Sequence, residues 1–172
     1  VKRAKQCAIW LLLLVVLGSW GIPAVWAQEG TVGGIDSGDT AWILVSSAFV
    51  LCMTLPGLAL FYGGLVRSKN VLGTIMHTAI ILCIISIVWV LWGYTLAFGP
   101  DIGGVIGGLD HVGLMGVGFE VFSGTGIPHL LFMVFQLMFA AITVALITGS
   151  FAERMKFTAL LAFAVLWSTF IY

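Results

Sequence analysis

Phe132, Phe135, Gln136, Phe139 and Thr143 recur at helical spacing. Residues three and four apart stand on one face of a helix, one above the other. Two phenyl rings one turn apart can attract a small cation to their faces and also block water. A Gln amide and a Thr hydroxyl have no use against lipid, so this face is predicted to point into a helix bundle. Ordinary phenyl packing is the competing reading of the same spacing.

The histidines offer less. His77 and His129 each lie early in an apolar run, and His111 lies in a connection where it is read as solvated. An ionisable group inside a membrane run is a functional candidate, but near an interface it can simply be wet. No acidic residue lies deep in any run. A proton relay or a metal site cannot be assembled from these residues alone. Cys7, Cys52 and Cys83 form no CxxC and no Cys/His cluster, and read as small hydrophobes. No catalytic residue, metal or cofactor is expected, and the chain is not read as an enzyme.

These side chains must be held by long apolar elements. The chain has 172 residues, of which 61% are apolar, and its formal net charge is zero. Charged residues make up 8%, against about 25% in ordinary soluble domains. Mean hydropathy is +1.18. Disorder is excluded, because it requires low hydrophobicity and high charge. Nucleic-acid binding is excluded, because so few charges build no basic patch. The class is an integral membrane protein, all-α rather than an outer-membrane barrel, since the alternation of a barrel strand is absent.

Four charge-free runs succeed one another: 41–66, 70–100, 121–152 and 157–172. They predict spans near 41–66, 71–98, 127–150 and 155–172. Arg67 and Lys69 separate the first two, and Arg154 and Lys156 the last two. The middle connection carries Asp101, Asp110 and Glu120 and no Lys or Arg. Short basic loops stay in the cytoplasm, so the first and third helices run inward. The basic residues also read as topological anchors and nothing more.

The N-terminus gives the same orientation. Lys2, Arg3 and Lys5 precede an apolar stretch from Cys7 to Leu17, and Val25-Trp26-Ala27 fits a cleavage site. Residues 1–27 are read as a signal peptide, with a retained span as the alternative, and residues 28–40 as an outer N-terminal segment. Asp39-Thr40 is placed to cap the first helix. Pro56-Gly57 interrupts that helix, freeing the carbonyl near Cys52 for a kink or a cavity-lining break. Gly63-Gly64 permits close helix approach. The glycine-rich stretch 99–126 reads as an irregular surface loop. Trp42, Tyr62, Trp89, Trp92, Tyr94 and Trp167 lie toward span ends, where an aromatic belt accounts for most of them.

Three segments resemble one family. Residues 56–72, PGLALFYGGLVRSKNVL, look like the first inner loop of the ammonium transporter (Amt/MEP/Rh) family. GYTLAFG at 93–99 and FQLMFAAITVALITGSFAER at 135–154 look like the end of its second span and its third span with the adjoining loop. The resemblance covers residues 39–172 in the same order and topology. It implies an eleven-span inverted-repeat bundle that forms homotrimers in the inner (plasma) membrane, each subunit with its own narrow hydrophobic pore. This chain would hold the first four spans.

On that resemblance Phe135 and Phe139 match aromatic residues of the outer vestibule, with Phe139 at the outer half of a phenyl gate. Tyr172 matches an aromatic residue lining the same region. The resemblance implies that ammonium is drawn to an outer site, loses its proton, and crosses as ammonia, the proton crossing too in electrogenic members. It also implies a PII-type regulatory partner on the inner face. His77 and His129 do not match the family's pore histidines, which would lie beyond Tyr172. The alternatives are an ammonium sensor of the same family and an inactive four-span structural fragment. The 172-residue polypeptide alone is expected to be inactive.

Overall fold

The structure is a computed structural model and describes residues 34–172. The expected signal peptide, residues 1–27, and residues 28–33 of the segment after it lie outside the described residues. Four apolar helices carry the fold: α1 Ser37–Leu65, α2 Ser68–Phe98, α3 His129–Phe151 and α4 Phe157–Phe170. The first three, with 29, 31 and 23 residues, are long and apolar enough to cross a bilayer. The charge-free runs of the sequence supply the body of each helix.

The cap of α1 sits earlier than the sequence suggests. Asp36, not Asp39, is the N-cap: its Oδ1 accepts the Asp39 N–H at 2.8 Å. Thr40 Oγ1 donates to the Asp36 carbonyl at 2.6 Å. Asp36 N–H in turn donates to Gly126 O at 2.8 Å, tying the helix start to the long connection. Asp36 satisfies the free N–H of the third helical residue, and capping there rather than at Asp39 lengthens the helix by about a turn.

Pro56 does not break α1. It sits in a π-helical turn, Met53–Leu58, between α-helical segments Ser37–Cys52 and Ala59–Leu65. The wider turn takes up the missing N–H, and Thr54 Oγ1 donates to Val50 O at 2.9 Å. A second π turn, Trp89–Gly93, lies in α2 without any proline. Other hydroxyls also bond back into their own helices: Ser47 to Ile43 O, Thr78 to Thr74 O and Ser86 to Leu82 O. In hydrocarbon this removes the need for a partner on another helix.

The second helix is the hub and packs against α1, α3 and α4, while α3 also packs against α1. The core joins Leu58 of α1, Ile81, Ile85 and Trp89 of α2, and Leu160 and Ala164 of α4. From α3 come Met133, Leu137, Ala140, Ala141, Val144 and Ala145. The alanines let the backbones approach closely. Trp92 Nε1 donates to Thr169 Oγ1 at 3.0 Å and joins α2 to α4.

Among the described helices the aromatic face is not the face of α3 that packs. The buried stripe of α3 runs through Met133, Leu137, Ala140 and Val144. Phe135, Gln136 and Thr143 are half-buried and Phe139 is 38% exposed, on a flank the described helices leave open. Thr143 did not require an inward position, because its hydroxyl donates to Phe139 O at 2.7 Å.

The long connection is more ordered than a surface loop. Strands β1 Asp101–Ile102 and β2 Ile106–Gly107 pair antiparallel. Fully buried Thr95 anchors residues 108–111: its Oγ1 donates to Gly108 O at 2.6 Å and accepts His111 N–H at 3.0 Å.

Candidate functional site

Phe135 and Phe139 stand one turn apart on the open flank of α3. Their rings meet edge to face, with centroids 5.0 Å apart and planes at 80°. The edge of one ring is positive and the face of the other negative, so this geometry holds the pair, and Phe139 stays 38% exposed on the flank. A small cation or an apolar molecule could use either property.

Beyond this pair the glycine-rich end forms an aromatic box that the sequence reading missed. Tyr94 is fully buried and Trp89 nearly so, which excludes them from an interfacial belt. Their rings lie 5.9 Å apart. The cause is the π turn between them. In an α-helix residues five apart point to different sides, whereas i→i+5 bonding stacks them. Trp89 Nε1 also donates to Met133 O at 3.4 Å, joining α2 to α3.

The histidines take their places around this box. Tyr94 Oη and His129 Nε2 share a hydrogen bond of 2.6 Å. His111 is not simply solvated. It is half-buried, its ring 5.5 Å from that of His129, and its Nδ1 bonds Met115 O at 3.0 Å. Phe122 stacks on Phe132 at 4.1 Å, and Phe98 meets Phe132 edge on at 5.1 Å. Phe132 therefore belongs to the box, although it shares the helical spacing of Phe135 and Phe139. His77 lies elsewhere, stacked on Phe157 of α4 at 5.6 Å.

Tyr172 approaches the box from the end of α4. Its ring lies 5.9 Å from Trp89 and 6.4 Å from Trp167. Among the described residues its aromatic partners do not include Phe135 or Phe139. The three expected site residues thus fall into two groups, an α3 pair and a tyrosine against the box. Among the described residues no group of His, Cys, Asp and Glu could hold a metal ion.

The opposite, basic end is braced by one carboxylate. Glu153 Oε1 accepts Asn70 Nδ2–H at 2.8 Å and Arg67 N–H at 3.0 Å, and Arg67 Nε lies 4.0 Å from Oε2. Glu153 holds a left-handed backbone, φ 65°, which a residue with a Cβ adopts only at a cost. The Asn70 hydrogen bond first, and the Arg67 N–H second, hold its carboxyl below the ordinary value of 4.5. A group with a depressed folded pKa stabilises the fold above its unfolded pKa, and that stability is lost as pH falls through the folded value. The unfolding temperature of the full-length protein should therefore fall as pH drops below 4.5. The gap between Glu153→Gln and wild type should narrow over the same window; a gap that stays constant would contradict the brace.

Apolar helices of spanning length, an aromatic box at one end and charged loops at the other define a polytopic helical membrane protein. Its sequence relatives say which kind. A sequence profile described as the Ammonium Transporter Family matches residues 41–172. The ammonium transporter of Bacillus subtilis is 56% identical over 140 residues, covering 80% of this chain and 34% of the relative. That of Aquifex aeolicus is 50% identical over 139 residues, covering 80% and 33%. The crystal structure of Saccharomyces cerevisiae Mep2 matches with a TM-score of 0.71 at 36% identity, covering 80% of this chain and 30% of Mep2. The chain belongs to the ammonium transporter family. It spans about a third of the length of the curated relatives it matches, 33–34% for those two.

Proposed function

We propose that the complete protein conducts ammonium or ammonia across a membrane, and that α3 supplies one wall of the entrance gate. The observation that carries this reading is the edge-to-face Phe135–Phe139 pair on a flank that four helices leave open. An exposed phenyl pair inside an apolar bundle calls for a facing wall, which spans outside these four would provide. Cation–π attraction then concentrates ammonium, and the apolar constriction penalises the bare charge so that it gives up its proton. Tyr172 is assigned a lining role in the same entrance, supported by the family resemblance.

The same reading places the basic end in the cytoplasm. Arg67 and Lys69, at the turn from α1 into α2, and Arg154 and Lys156, between α3 and α4, all lie at that end, and the basic-loop rule supports that side. The mature N-terminus is then outside, the membrane is the inner (plasma) membrane, and a PII-type protein would meet the basic end. A homotrimer rests on the family resemblance. The chain is read as a transporter component and not as an enzyme.

The test is methylammonium uptake by the full-length protein in a transporter-deficient strain. Phe139→Ala should change uptake or its selectivity over other small cations several-fold, while Phe170→Ala, an exposed phenylalanine of α4, leaves both near wild type. Unchanged uptake and selectivity in Phe139→Ala, at equal membrane abundance, would remove the gate assignment.

A further inference from the structure

The basic end holds a polar cavity that the conduction reading does not use. Its volume is about 590 Å³, and Tyr62, Arg67, Lys69, Asn70, Glu153 and Arg154 line it. Three cations face one carboxylate. That carboxylate is already engaged by Asn70 and by the Arg67 N–H. Arg67 itself approaches Glu153 only at 4.0 Å, with its side chain 76% exposed. Among the described residues Lys69 and Arg154 have no ion-pair partner. The cavity therefore has a surplus of positive charge and a set of N–H donors not consumed by its own walls.

Its depth adds a second constraint. Tyr62 and Leu65, from the last turns of apolar α1, form part of the lining. The cavity thus opens where the apolar surface of the bundle meets the charged loops. Lipid phosphates lie at that level of a bilayer, and anionic groups there attract nearby Lys and Arg. A guanidinium adds two parallel N–H donors suited to phosphate oxygens, and Lys a compact charge.

We propose that this cavity binds a phosphate group, held by Lys69 and Arg154 with Arg67 at the rim. Glu153 braces the loops through Asn70 and the Arg67 N–H, and its single charge leaves the three cations of the lining in excess. The phosphate comes either from the headgroup of an anionic lipid or from free inorganic phosphate. Lys156 separates this site from simple topological anchoring. It is a cation of the same loop as Arg154 but does not line the cavity. Anchoring alone treats Lys69, Arg154 and Lys156 alike, whereas a site does not.

The experiment uses the full-length protein in neutral detergent. Its thermal unfolding is followed during titration with short-chain phosphatidylglycerol, with phosphatidylcholine of the same chains, and with inorganic phosphate against chloride at matched ionic strength. The expected result is stabilisation by phosphatidylglycerol or phosphate beyond both controls. Lys69→Gln and Arg154→Gln should bind about tenfold more weakly, the loss of one charge-assisted hydrogen bond. Lys156→Gln should match wild type, and Lys69→Arg should keep binding and show that position 69 tolerates change. Stabilisation by phosphate as well as lipid assigns the free anion, and stabilisation by phosphatidylglycerol alone assigns the headgroup. No stabilisation by either, or equal weakening in Lys156→Gln, overturns the proposal. Uptake by Phe139→Ala is read separately, so failure of this site leaves the conduction reading standing.

Discussion

Gly107→Ala is expected to destabilise the protein by about 3 kcal/mol, at the upper end of what overpacking costs. A Cβ at position 107 would fall on the Thr95 carbonyl, 2.8 Å from Leu96 O and 2.9 Å from Gly99 N. All three obstacles are backbone atoms at the end of α2, so no rotamer change can clear them. The strand must lift away from the helix. That movement also pulls on Gly108 O, which takes the Thr95 hydroxyl, and on the His111 N–H that Thr95 accepts. His111 borders His129, so the aromatic box loosens with the loop. Gly118→Ala is the control, because a Cβ there meets nothing within 4 Å. Thermal unfolding of the full-length protein should show a large drop for position 107 and almost none for position 118. Equal, small effects would mean that the connection is not docked on the end of α2.

Gly149→Ala should cost a similar amount, about 3 kcal/mol, by a different route. Gly149 lies in the 3₁₀ turn that ends α3, and an added Cβ would fall on the ring of Tyr62. That ring cannot simply retreat, because Tyr62 Oη donates to Leu146 O at 2.7 Å and joins α1 to α3. The cost combines overpacking, about 2 kcal/mol, with a lost hydrogen bond, about 1 kcal/mol. A double-mutant cycle isolates the cause. In a Tyr62→Ala background the same glycine substitution should cost almost nothing. An equal cost in both backgrounds would clear Tyr62 as the obstacle.

The helices were legible from the chain because apolar length and loop charge are sums along the sequence. Phe135 and Phe139 were legible as a pair because residues four apart meet in any α-helix. Pro56 was visible as an interruption, but a break and a π turn look alike in sequence. Trp89 and Tyr94 were misplaced for a related reason. Their spacing of five suits one face only after a π turn, and no proline marks that turn. Thr143 carries no facing signal of its own, since its hydroxyl is satisfied within its own helix.

The chain's own pattern was thus enough to establish a membrane protein, its four apolar runs and the basic character of two short loops, while the ammonium transporter family came from resemblance to known members. Packing between distant segments settled that α3 turns its alanine stripe inward and its phenyl pair to an open flank. It also settled that His129 meets Tyr94, that the glycine-rich connection docks on Thr95, and that Lys69 and Arg154 share a cavity. The difference is one of range. Burial length and net charge are set by each segment alone, whereas facing, docking and shared cavities depend on atoms dozens of residues apart. Close packing places those atoms to within ångströms, and no local pattern encodes the result.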